Sequence, residues 1–201
     1  DRYSAELEPA LSMLPSYTQL GMAALLPNKE LVIADNDSGT VLVDGQSSQG
    51  TINRSKILSQ ATGGRATATI YEDLMAMNRD DSRELLKAND VLYIYHNRID
   101  HTGDKMHSEG QAFEAAEQTM EDLIRLIKKL AAANASNILV TADHGFIYQN
   151  RAIEESDFSG VEAAGESILY RDRRFVLGKG LKASQGLRKF LPTELGLHGD
   201  V

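Results

Sequence analysis

Val91-Leu92-Tyr93-Ile94-Tyr95 and Asn137-Ile138-Leu139-Val140-Thr141 bracket the stretch that decides the fold. Both are short, nearly continuous apolar runs, the pattern of strands buried on both faces in a parallel sheet. Between them Phe113, Ala116, Met120, Leu123, Ile127 and Leu130 recur every three or four residues, with Glu, Gln, Lys and Arg elsewhere. That period marks the apolar stripe of one long helix. Strand, helix and strand in this order predict a βαβ unit over residues 91–141 with a right-handed crossover. The fold class that follows is α/β.

Working outward, Leu31-Val32-Ile33-Ala34 and Thr40-Val41-Leu42-Val43 also read as strands. Residues 35–50 are rich in Gly, Ser and Asp, which predicts a hairpin or loop excursion. Residues 16–26 are apolar with few breakers before Pro27 and predict a helix. Shorter helices are expected from Asn53 or Ser55 to Gln60, over residues 71–78, and from an Asp81 or Ser82 cap to Ala88. The stretch 171–189 carries Arg171, Arg173, Arg174, Lys179, Lys182, Arg188 and Lys189. It reads as a solvated basic face with the charge to attract an anionic substrate.

A chain of 201 residues is enough for one substantial domain and does not demand two. No apolar run reaches membrane-spanning length. The opening Asp1-Arg2-Tyr3-Ser4 has neither a methionine nor a signal-peptide pattern, so the chain is expected to begin inside a longer protein. The absence of cysteine excludes disulfides and thiolate metal sites, so any metal must be held by oxygen and imidazole. It also accords with a cytoplasmic location. A net charge of −8 argues against nonspecific nucleic-acid binding over the whole surface, while leaving room for a local basic patch.

Three loops carry ligand-type or nucleophilic residues. Val140-Thr141-Ala142-Asp143-His144-Gly145-Phe146 follows an expected buried strand, where open α/β sheets place their sites. Adjacent Asp and His suit one divalent cation if the backbone turns sharply, which Gly145 permits. Tyr95-His96-Asn97-Arg98-Ile99-Asp100-His101-Thr102-Gly103-Asp104 ends the other expected strand with two His and two Asp. A right-handed crossover brings both loops to one sheet edge, as a two-metal site requires. His96, directly after the strand, has the position to orient a ligand carboxylate, and His198 reads as structural or surface-placed. In Leu14-Pro15-Ser16-Tyr17-Thr18-Gln19-Leu20-Gly21 a helix begins at Ser16 or Thr18. A hydroxyl there is either an N-cap, the commoner use, or a metal-activated nucleophile.

In this order the three loops resemble the alkaline phosphatase superfamily, and within it the PglZ-domain proteins of bacterial phage-defence (BREX) systems. The resemblance is clearest over residues 14–27, over Tyr95-His96-Asn97-Arg98-Ile99-Asp100 and over Thr141-Ala142-Asp143-His144-Gly145-Phe146. It implies a three-layer sandwich, a mostly parallel sheet flanked by helices, with residues 1–201 as one core domain of a longer protein. It also implies two divalent metals, Zn, Mn or Mg. The resemblance makes Thr18 the nucleophile and Asp143 and His144 the ligands of the metal that binds it. Asp100 and Asp104 fall in the Asp-x-x-Gly-His pattern of the other metal, with Asp104 at the His position. A carboxylate is a harder ligand and moves the expected metal toward Mn or Mg. His101 is the fallback ligand.

The superfamily further implies an Asp ligand upstream of the nucleophile and a distant downstream His. Neither is matched in this chain, so activity of residues 1–201 alone does not follow. The implied function is a metal-dependent phosphatase or phosphodiesterase in anti-phage defence. Its substrate is a phosphate ester, with nucleic acid among the candidates, and its partners are other BREX proteins such as the methyltransferase. The alternative is a non-catalytic scaffold or interaction module of such a complex. A sulfatase or mutase on the same scaffold ranks lower, since a mutase of that kind needs Ser16 as nucleophile.

Overall fold

The computed structural model describes residues 4–99, 112–146, 160–172 and 174–201. Helix α1 (Thr18–Ala24) leads into strands β1 (Leu31–Ile33), β2 (Val41–Val43) and β3 (Gln46–Ser47). Helix α2 (Gly50–Ala61) precedes β4 (Ala66–Ile70), and α3 (Tyr71–Ala76) and α4 (Arg79–Ala88) precede β5 (Val91–Tyr95). Helix α5 (Ala112–Ala132) and the strands β6 (Ser167–Arg171) and β7 (Val176–Lys179) follow, with a 3-10 turn at Pro192–Leu195. The described chain is mixed α/β. Among the described residues no helix is long and apolar enough to cross a membrane.

β1 and β2 pair antiparallel with Leu31 opposite Val43 and Ile33 opposite Val41. All four of these side chains are buried, because alternate residues of a strand share a face. They meet Leu20, Ala23 and Leu26 of the α1 region and Ile57 and Leu58 of α2 in the main core. A second cluster joins Tyr71 and Leu74 of α3 to Leu126 and Leu130 of α5. Helix α4 starts earlier than its sequence suggested. Asn78 is the cap, its side chain accepting from the N–H groups of Asp80 and Asp81.

β4 and β5 run parallel, with Ala66 opposite Val91 and Ile70 opposite Tyr95. Nothing in the apolar pattern announced β4, whose Ala66-Thr67-Ala68-Thr69 is small and half polar. Small side chains let α2 come close. Ser55 Oγ of α2 accepts the Ala68 N–H at 2.8 Å and donates to the Ala68 carbonyl at 3.2 Å. The outer edge of β4 is thereby bonded at its midpoint.

The structure departs from the expected βαβ unit in three ways. Residues 137–141 carry no ladder, and Ile138, Leu139 and Val140 are 41%, 89% and 55% exposed. A strand needs a partner for its N–H and C=O groups, and the described residues provide none here. β5 is partly covered rather than buried, since its one strand neighbour among the described residues is β4. Of the four described strand pairings only that one is parallel. Helix α5 is also turned relative to its expected stripe. It buries Ala115, Thr119, Asp122, Leu126 and Leu130 and leaves Met120 64% exposed.

In the basic stretch 171–189, Arg171, Arg174, Lys182, Arg188 and Lys189 are exposed, as a solvated face requires, while apolar neighbours anchor the stretch. Tyr170, Phe175 and Leu177 of the β6–β7 hairpin join the main core. Lys179 clasps Asp35 on one side and Asp200 on the other. The backbone of His198 bridges to the β1 region, its N–H donating to the Leu31 carbonyl at 2.8 Å, while its side chain is exposed.

Candidate active site

The site begins with two consecutive residues of unlike use. Tyr17 is the N-cap of α1 and supplies no side-chain cap. Its ring is buried, 5.0 Å from that of Phe175, and its hydroxyl donates to the Gly39 carbonyl at 3.0 Å. Burial first, and Tyr170 second, push the phenol well above its ordinary pKa, so Tyr17 is a neutral anchor. Thr18 is the first helical residue, and its hydroxyl is not spent on capping. Thr18 Oγ1 lies 3.2 Å from His144 Nε2, across 126 residues of chain.

His144 is set for that contact by its other nitrogen. Nδ1 is 2.8 Å from the Gly145 carbonyl oxygen, which can only accept, so the proton resides on Nδ1. In the neutral ring Nε2 then carries the lone pair, and it is Nε2 that faces Thr18. The Asp143 carboxylate reaches the same nitrogen at 3.6 Å. Hydroxyl, imidazole and carboxylate therefore converge, with the Asp143 and His144 side chains only 17% and 14% exposed.

Close approach of α1 makes the convergence possible. A Cβ built on Gly21 would overlap the Asp143 carbonyl oxygen, standing 2.7 Å from its carbon and 2.9 Å from Asp143 Cβ. Only glycine lets the first turn of α1 lie directly on the Asp143 backbone. Sequence reasoning quoted Gly21 without seeing this role, because the partner lies so far along the chain.

The loop after β5 is fixed by a residue that the sequence also hid. Asp122 of α5 is 4% exposed. One of its oxygens accepts from Arg98 Nη2 at 2.7 Å and Nε at 3.0 Å and lies 3.2 Å from His96 Nε2. The other accepts from the Tyr71 hydroxyl at 3.2 Å, with Arg125 at 3.7 Å. Burial works against the Asp122 charge. Hydrogen bonds from His96, Arg98 and Tyr71, with the Arg98 charge, outweigh it and hold the carboxyl below its ordinary range. His96 thus orients on Asp122 and, among the described residues, contacts neither Asp143 nor His144; Asp100 and Asp104, the other carboxylates it was expected to serve, lie outside them. The one signal available was Asp122 lying in step with Leu126 and Leu130.

Of the expected site residues, the structure brings Thr18, Asp143 and His144 together. Asp100 and Asp104, with His101, lie outside the described residues. Among the described residues no group of three or more His, Asp or Glu gathers as for a metal. As a partial donor set, a hydroxyl, a lone-pair nitrogen and a carboxylate fit Zn, Mn or Mg.

The sequence family described as "BREX system PglZ alkaline phosphatase-like domain" matches residues 1–201. The chain is 38% identical over 183 residues to the alkaline phosphatase-like protein BrxZ of Escherichia coli O9:H4 (strain HS), covering 90% of this chain and 21% of that protein. It is 38% identical over 188 residues to the alkaline phosphatase-like protein PglZ of Bacillus cereus (strain H3081.97), covering 93% and 21%. The chain therefore spans about a fifth of the length of the curated relatives it matches. No solved structure matches it.

Proposed function

The chain belongs to the PglZ alkaline phosphatase-like family of BREX systems, and from that premise we propose that it forms the catalytic core of a metal-dependent phosphoryl-ester hydrolase with Thr18 as nucleophile. The observation that carries this reading is the 3.2 Å approach of the Thr18 hydroxyl to the lone-pair nitrogen of His144. A hydroxyl used as a cap would point to its own helix; this one points across the fold to the Asp143-His144 loop.

In the proposed reaction Thr18 Oγ1 attacks phosphorus in line with the departing alcohol. The Thr18 proton is lost, an O–P bond to Thr18 forms, and the ester O–P bond breaks. Water then cleaves the phosphothreonine and restores the hydroxyl. A divalent cation held by Asp143, His144 and the Thr18 oxygen would lower the hydroxyl pKa and offset charge on the phosphoryl oxygens. Asp100 and Asp104 are the proposed ligands of a second cation. The same reading places the reaction in the cytoplasm on an alkaline-phosphatase-like three-layer sandwich. Its partners are then other BREX proteins, the methyltransferase among them, and nucleic acid stands with phosphoproteins among the candidate substrates.

The test uses the full-length protein with nitrophenyl phosphate mono- and diesters and added Zn, Mn or Mg. Metal-dependent hydrolysis is expected. Thr18→Ala should lower it by about a thousand-fold or more, and Thr18→Ser should keep a measurable fraction. Hydrolysis unchanged by Thr18→Ala, or none with any of the three metals, would overturn the reading in favour of a scaffold.

A further inference from the structure

The β6–β7 hairpin and the segment after it concentrate positive charge in an acidic chain. Residues 167–189 hold seven Lys and Arg, while of the chain's 29 Asp and Glu only Asp172 falls among them. Asp172 is spent on the main chain, since its carboxylate accepts the Arg174 N–H at 3.3 Å. Lys179 is spent on Asp35 and Asp200. Arg171, Arg174, Lys182, Arg188 and Lys189 are exposed, and none of them has an ion-pair partner among the described residues.

The tip of this hairpin is seated beside Thr18. Tyr170 and Phe175 flank the tip, their rings 6.4 and 5.0 Å from that of Tyr17, which immediately precedes Thr18. Arg171 follows Tyr170 and Arg174 precedes Phe175, so each stands one residue from a ring packed on Tyr17. Alternation along β6 turns Arg171 to solvent while Tyr170 faces the core. Lys182 stands beyond the other end of the hairpin, where its N–H donates to the Ala164 carbonyl at 2.9 Å. The five residues of β6 alone span roughly 13 Å.

We propose that the β6–β7 hairpin is a docking surface for a nucleic-acid strand, with Arg171 and Arg174 binding phosphates next to the one that Thr18 attacks. The identity of the attacked phosphate rests on the hydrolase reading; the docking surface does not. A single phosphate monoester cannot meet cations at both ends of the hairpin, whereas a nucleic-acid strand carries a charge at every nucleotide. The rest of the chain is strongly acidic and repels such a strand, so the hairpin also sets where it lands. Arg188, whose guanidinium lies over the Phe190 ring at 4.8 Å from its centroid, adds a planar cation of the kind on which a base stacks. A phosphorylated protein offers isolated phosphates and matches this spread of cations less well.

Fluorescence anisotropy of a labelled single-stranded DNA oligonucleotide with the full-length protein, over about 50 to 200 mM salt, tests this. Arg171→Gln with Arg174→Gln is expected to weaken binding on the order of ten-fold or more. It should also make the slope of log K against log salt shallower by about 1.4, the share of two phosphate contacts on a single strand. Lys87→Gln with Lys128→Gln removes the same charge from exposed positions elsewhere and is expected to leave the slope unchanged. Ultraviolet crosslinking of a bromouracil-substituted strand to the unmodified protein is expected to label peptides within residues 168–190. An unchanged slope in the arginine variant, an equal fall in the lysine control, or crosslinks confined to other peptides would overturn the proposal. So would displacement of the DNA by a phosphoserine peptide at equal phosphate concentration, which makes the surface a phosphoprotein site. Nitrophenyl ester assays on the parent keep the two readings apart. The expected DNA binding without hydrolysis ends the hydrolase reading and leaves the docking surface, and hydrolysis with an unchanged slope does the reverse.

Discussion

At the scale of single residues, the site is framed by main chain and furnished by side chains. Gly21 lets α1 lie on the Asp143 backbone, and Thr18 and His144 meet because of that contact. Replacing Gly21 by Ala inserts a methyl group where the Asp143 carbonyl already is. Overpacking of this kind costs about 1–3 kcal/mol. Gly21→Ala should therefore lower the denaturant midpoint by that much. It should also reduce hydrolysis more than Thr18→Ser does, since it moves the hydroxyl rather than trimming it. Unfolding curves and initial rates on the same samples check both. Residue 18 also shows where sequence alone stops. A hydroxyl at a helix start serves equally as a cap or as a nucleophile, and the residues by themselves favoured the cap. The contact that the structure gives residue 18 is with a histidine 126 positions away, and the proposed nucleophile rests on that contact. Only the family resemblance pointed there, and the contact is present.

At the scale of elements, the tie between β5 and α5 is the carboxylate of Asp122. Removing one partner of a buried, hydrogen-bonded ion pair costs about 3–5 kcal/mol, and Arg98 is 43% exposed, so the lower end applies. Asp122→Ala should destabilise by about 3 kcal/mol in denaturant unfolding. The pH dependence has a definite sign. The folded pKa of Asp122 lies below its unfolded value. Its contribution is therefore complete above the ordinary carboxylate range and is lost as pH falls through the lowered folded value. Thermal melts from neutral pH downward should show a steeper acid loss for the parent than for Asp122→Ala. The same carboxylate explains why α5 is turned from its expected stripe. Apolar periodicity aims Phe113, Met120 and Leu123 inward, but His96, Arg98 and Tyr71 draw Asp122 to the buried side instead. β4 escaped notice for a related reason. Alanine and threonine carry little apolar signal, and its position is decided by close packing under α2 and by Ser55.

At the scale of the whole molecule, the proposed metal has a consequence for stability. A ligand that binds only the folded state stabilises it by about 2.7 kcal/mol at a hundred times its Kd. Mn, Zn or Mg should accordingly raise the melting temperature of the full-length protein, and Asp143→Asn should reduce that rise. Differential scanning with and without chelator reads it directly. The α/β class, α1, β1, β2, β5 and α5 were legible because their apolar periods are strong. The strand expected at 137–141 has the right composition, and composition alone does not supply a ladder. Asp100 and Asp104 were legible as ligand types, and the geometry described here does not reach them. One consequence follows from the backbone seat of α1 on Asp143. Its contacts involve Gly21 and the backbone and Cβ of Asp143, so under the proposed mechanism removing the hydroxyl of residue 18 takes away the nucleophile and leaves that seat in place. A Thr18→Ala protein is then expected to hold a phosphate ester that the parent would cleave. Recovery of a bound ester from the Thr18→Ala protein and not from the parent checks this.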